Sequence, residues 1–61
     1  MTGKFELYQD TKGKYRFRLK AGNGEIIAVG EAYESKASAI GGIDSVRRNA
    51  ADATLVDQTE S

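Results

Sequence analysis

Residues 4–29 hold three runs of alternating or apolar side chains separated by two short segments that each end in glycine, and this arrangement leaves little choice of fold. In "KFELYQ", Phe5 and Leu7 alternate with Lys4, Glu6 and Tyr8; in "KYRFRLKA", Tyr15, Phe17, Leu19 and Ala21 alternate with Lys14, Arg16, Arg18 and Lys20; "EIIAV" follows. Period-two alternation marks half-buried strands, so strands are predicted at about 4–9, 14–21 and 25–29. Thr11-Lys12-Gly13 and Gly22-Asn23-Gly24 each place a glycine where a three-residue hairpin loop needs a left-handed residue. Two successive hairpins make a meander. With such loops Phe5 faces Leu19, Leu7 faces Phe17, Glu6 faces Arg18 and Tyr8 faces Arg16. In the second hairpin the same loop sets Leu19 against Ile27 and Phe17 against Val29. A two-residue Asn23-Gly24 loop would set Leu19 against Ala28 and Phe17 against Gly30, burying less, so the first register is preferred.

The alternation also sets four bases, Lys14, Arg16, Arg18 and Lys20, on one face of the second strand. Antiparallel sheets commonly keep one face wet, and Glu6 opposite Arg18 dilutes the stripe. The competing reading is a nucleic-acid face, with Tyr8 as its one plausible stacking aromatic. Lys plus Arg equal Asp plus Glu at nine each, so no net positive charge favours that reading.

Ser35 is a good N-cap for a helix at about 36–49, in which Ala37, Ile40, Ile43, Val46 and Ala50 fall near one stripe. Gly41-Gly42 interrupts it, either as an exposed pair or as a point of close approach. Thr54, Leu55 and Val56 form the centre of a short fourth strand at about 54–57. The fold class is therefore α+β, and the whole of residues 1–61 makes one unit.

A unit this small buries little and needs extra support. The sequence has no cysteine and no histidine, which removes disulfides and the commonest transition-metal ligand. That leaves oligomerisation as the extra support, or a core good enough to manage without it. The same two absences leave an enzyme with only carboxylates, Lys, Tyr or Ser, and the carboxylates are scattered, so no catalytic residue, metal site or cofactor is expected. The start "MTGKFELYQD" has no apolar run, and no segment approaches the roughly 20 apolar residues of a spanning helix. A cytoplasmic location with no membrane partner is expected. One dense polar cluster, Glu31, Tyr33, Glu34, Ser35 and Lys36, is a candidate ligand corner at a helix N-terminus through Glu31, Tyr33, Ser35 and Lys36. Its bland alternative is an ordinary capped connection.

Across residues 4–57, Phe5 and Leu7, the Arg16-Phe17-Arg18-Leu19 strand, Ala21 with Asn23-Gly24, Glu31, Tyr33, Ser35-Lys36, Ile43, Val46 and Asn49 together resemble the YegP-like family of small bacterial proteins, a domain family of unknown function. The resemblance implies a three-stranded meander, a helix and a C-terminal strand, used as two tandem repeats or as a homodimer of single-repeat chains. Two units would share one continuous sheet and exchange C-terminal strands. Gly41-Gly42 departs from the bulkier helix positions usual in that family. The resulting expectation is a non-enzymatic homodimeric binding or assembly protein. The alternative is a weak nucleic-acid binder using Lys14, Arg16, Arg18 and Lys20.

Overall fold

Both hairpins close on the same device. The computed structural model describes residues 2–59, so the ends of the unit assigned to 1–61 lie outside the described residues. In the first turn the Asp10 amide donates to the Lys14 carbonyl at 2.8 Å and the Gly13 amide to the Asp10 carbonyl at 3.0 Å. In the second the Ala21 amide donates to Glu25 at 2.8 Å and the Gly24 amide to Ala21 at 2.9 Å. Gly13 and Gly24 take φ of 80° and 90°, the left-handed conformation that the three-residue loops demand.

These turns join strands β1 (Lys4–Gln9), β2 (Tyr15–Lys20) and β3 (Ile26–Val29) into an antiparallel sheet of order β1-β2-β3, followed by helix α1 (Lys36–Ala50). The first hairpin has the expected register: Phe5 opposite Leu19, Glu6 opposite Arg18, Leu7 opposite Phe17 and Tyr8 opposite Arg16.

The second hairpin corrects the expectation. It starts in the predicted register, with Lys20 opposite Ile26, then a bulge admits Ile27 as an extra residue. Beyond it Leu19 faces Ala28 and Arg18 faces Val29, and the Gly30 amide donates to the Phe17 carbonyl at 2.9 Å. The reason lies in the space over Phe17. A Cβ on Gly30 would stand 2.8 Å from Phe17 Cδ2 and closer still to the ring tip, so a valine has no room there. The ring fills that volume and is only 5% exposed. The chain then pairs once more with β2, where Tyr15 and Tyr33 exchange backbone hydrogen bonds of 2.9 and 2.8 Å. Tyr33 thereby stacks on Phe17, with ring centroids 6.1 Å apart and planes at 20°.

Helix α1 starts as expected, with the Ser35 hydroxyl accepting from the Ser38 amide at 3.1 Å. Its buried face differs from the predicted stripe. Ala39 and Ile43 are buried and Gly42 and Val46 half-buried, whereas Ala37, Ile40 and Ala50 are exposed. Gly42 accounts for this rotation: its bare backbone meets Tyr33 and Phe17, and any side chain there would hold the helix off the sheet. Gly41 has no neighbour within 4 Å of its Cβ position and faces open space. The helix packs on β1 and β2 and leaves β3 uncovered.

The strand expected at about 54–57 is not formed in the single chain: residues 53–58 have no regular structure, and Leu55 and Val56 are 90% and 68% exposed. A strand needs a sheet edge beside it to satisfy its amides, and none lies against this segment. No helix among the described residues is long and apolar enough to cross a membrane.

Candidate functional site

The four bases of the stripe meet three carboxylates, Glu6, Asp10 and Glu34. Arg18 Nε donates to Glu6 Oε1 at 2.7 Å, and Lys20 Nζ lies 3.2 Å from the same oxygen. Lys4 Nζ approaches the other Glu6 oxygen at 4.0 Å. Arg16 Nε donates to Asp10 Oδ2 at 2.7 Å, and Lys14 pairs with Glu34. Each of Lys14, Arg16, Arg18 and Lys20 thus has a carboxylate partner. The Arg18 guanidinium also covers the Tyr8 ring, 5.0 Å from its centroid, so the face's aromatic is partly occupied. Arg18 and then Lys20 hold the Glu6 carboxyl below its ordinary pKa, and Arg16 with the Lys14 amide does the same for Asp10. Asp10 Oδ1 meanwhile accepts from the Lys12 and Lys14 amides at 2.9 Å each, so one carboxylate both fixes the turn and pairs the stripe. An aspartate opening a glycine-ended loop is the signal that identifies such a residue from sequence.

The 31–36 corner does not assemble. Tyr33 turns inward onto Phe17, Ser35 is committed to capping α1, and Lys36 borders a hollow with Leu7, Tyr8, Gln9 and Tyr15. Glu31 borders a different cleft, together with Tyr33. Among the described residues no group of three or more Asp or Glu is placed to hold a metal ion.

A further exposed surface is β3 itself. All four of its residues are exposed: Ile26 and Ile27 at 50% and 57%, Val29 at 71%, and Ala28 between them. Beside it a cleft of about 310 Å³ opens between α1 and the sheet, walled by Phe17, Leu19, Ala28, Gly30, Tyr33 and Val46. Its lining is mostly apolar, and one side is the β3 edge, which no element among the described residues pairs. Such an edge offers a row of backbone donors and acceptors to an added strand.

Comparison with known proteins gives a consistent picture. Residues 10–57 match the family model of a domain of unknown function, DUF1508. A UPF0339 protein of Treponema denticola is 68% identical over 57 residues, covering 93% of this chain and 98% of that protein. The UPF0339 protein YegP of Shigella flexneri is 57% identical over 49 residues, which cover 80% of this chain and 44% of YegP. The solution structure of a protein from Haloferax volcanii superposes with a TM-score of 0.83 at 47% identity, covering 92% of this chain and 95% of that one. The α+β fold of three antiparallel strands and one helix is therefore shared. That match to an archaeal protein places similar chains outside bacteria as well.

Proposed function

This chain belongs to the DUF1508 family of unknown function, and from that premise we propose that it is a non-enzymatic binding or assembly module that works as a homodimer joined through β3. The observation that carries this reading is the pairing of an open apolar edge with an unused apolar segment. Ile26, Ile27, Ala28 and Val29 leave an edge unpaired, and Thr54, Leu55 and Val56 leave a potential strand without a sheet. Added to the β3 edge of a second copy, residues 54–57 would satisfy both sets of backbone groups and carry Leu55 or Val56 toward the partner's cleft. The two units would then share one continuous sheet with exchanged C-terminal strands.

Dimension supports the same reading. The Cα radius of gyration is 13.3 Å. A compact domain of this length has about 10.5 Å. The excess fits a chain whose C-terminal segment extends away from its own core. The core is also thin, with Phe17, Ala39 and Ile43 as the buried apolar residues among those described. A cytoplasmic role is part of this reading and rests on sequence alone. The nucleic-acid alternative loses ground because each base of the stripe is already paired.

Sedimentation equilibrium over a wide concentration range tests the reading. The full chain is expected to dimerise, with stability that rises with concentration. The chain lacking residues 53–61 is expected to be unfolded, or monomeric and molten. A truncated chain that remains a cooperatively folded dimer would remove the C-terminal strand from the interface.

A further inference from the structure

We propose that Asn23 is a site of spontaneous covalent change, held in check by the fold of its own turn. The reaction needs two adjacent groups and water. The Gly24 backbone nitrogen attacks the Asn23 Cγ, forming an N–Cγ bond and a cyclic imide. The Cγ–Nδ2 bond breaks, and Nδ2 leaves as ammonia with the proton given up by the Gly24 amide. Water then opens the ring. Attack at Cγ yields aspartate with the normal backbone; attack at the main-chain carbonyl carbon yields isoaspartate, whose chain runs through Cβ and Cγ. Nothing is oxidised or reduced. Glycine after asparagine permits the attack because no side chain shields its nitrogen.

Asn23 is exposed at the tip of the β2–β3 hairpin, so water reaches it freely. The folded turn nevertheless ties up both reacting groups. The Gly24 amide donates to the Ala21 carbonyl at 2.9 Å, and Asn23 Oδ1 accepts from the Glu25 amide at 3.0 Å. Swinging Cγ onto the Gly24 nitrogen breaks the second bond and diverts the first. The reaction therefore proceeds from an opened hairpin. The other asparagine, Asn49, is an internal comparison: it precedes Ala50 in α1, and its Nδ2 donates to the Ser45 carbonyl at 2.8 Å.

The two products have different consequences. Aspartate keeps an oxygen where Asn23 Oδ1 stands and can still accept from Glu25. Isoaspartate lengthens the main chain inside a three-residue loop and cannot keep both the Ala21–Glu25 pairing and the Lys20–Ile26 register. This inference stands on the turn alone and is independent of dimerisation.

Incubation of the full chain at mildly alkaline pH, with and without concentrated urea, followed by peptide mass analysis and isoaspartate detection, tests it. Conversion at Asn23 is expected in urea, and roughly tenfold slower without it, the factor that an opening free energy of about 1.4 kcal/mol supplies. Asn49 is expected to stay intact over the same period. The Asn23→Asp variant is expected to keep the hairpin amide shifts of the parent, whereas the isoaspartate form separated from an aged sample is expected to lose them. Equal rates with and without urea, or no conversion of Asn23 in either, would overturn the proposal.

Discussion

Gly42 lies against Tyr33: a Cβ placed on Gly42 would stand 2.8 Å from the Tyr33 Cζ, nearer still to its hydroxyl, and 3.2 Å from Phe17 Cε2. Neighbouring Gly41 meets nothing within 4 Å. The pair therefore separates two effects that sequence alone leaves merged. Gly41→Ala is expected to stabilise the chain by up to about 1 kcal/mol through helix propensity. Gly42→Ala gains the same propensity but overpacks a contact worth about 1–3 kcal/mol, so it is expected to destabilise on balance. Urea unfolding of the two variants checks the opposite signs.

Phe17 is the centre of the small core, covered by Gly30 just after β3, Tyr33 and Gly42. Phe17→Ala is expected to cost about 3–5 kcal/mol, which for a domain of this size means loss of the fold. Gly30→Ala is expected to cost about 1–3 kcal/mol by displacing the same ring. Near-ultraviolet circular dichroism together with thermal unfolding distinguishes the two outcomes.

Glu6 and Asp10 both have depressed pKa values, with Arg18 the first cause for one and Arg16 for the other. A carboxylate whose folded pKa lies below its unfolded one adds stability that is complete above the unfolded value and is lost as pH falls through the folded value. Melting temperature is therefore expected to hold from neutral pH down to the ordinary carboxylate range near about 4, and to drop below it. Glu6→Gln is expected to lower the neutral-pH plateau slightly and to flatten the acid limb. The pairs are exposed, so both changes are modest and shrink with added salt.

The paired stripe also predicts weak interaction with polyanions. The parent is expected to bind polynucleotides at the non-specific level only, and Arg16→Glu combined with Arg18→Glu is expected to leave that level unchanged. Fluorescence anisotropy with single-stranded RNA and duplex DNA over a salt series is the check. Submicromolar binding that falls steeply with salt and vanishes in the double variant would restore the nucleic-acid reading.

Much of the sheet was legible because local chemistry fixes it. Asp10 and Gly13 define one turn, Asn23 and Gly24 the other, and strict alternation in β1 and β2 leaves one register that buries Phe5, Leu7, Phe17 and Leu19 together. The bulge at Ile27 was not legible: burial in the pattern favours Leu19 against Ile27 and Phe17 against Val29, and nothing in the run Ile26 to Val29 marks an extra residue. What decides it is the Phe17 ring beneath Gly30, a contact between residues far apart in sequence. The helix face was misjudged for a related reason: an apolar stripe assigns burial to side chains, and Gly42 contributes by having none. The corner at 31–36 was dense in polar residues, but density says nothing about direction, and Tyr33 turns into the core.

Isotope-filtered NMR on a mixture of labelled and unlabelled chains tests the central claim most directly. Cross-peaks between the Leu55 and Val56 methyl groups of one chain and the β3 amides or Phe17 ring of another are the result the account predicts. If those methyl groups show contacts within their own chain only, or none at all, at concentrations where the protein is folded, the dimer joined through β3 is contradicted.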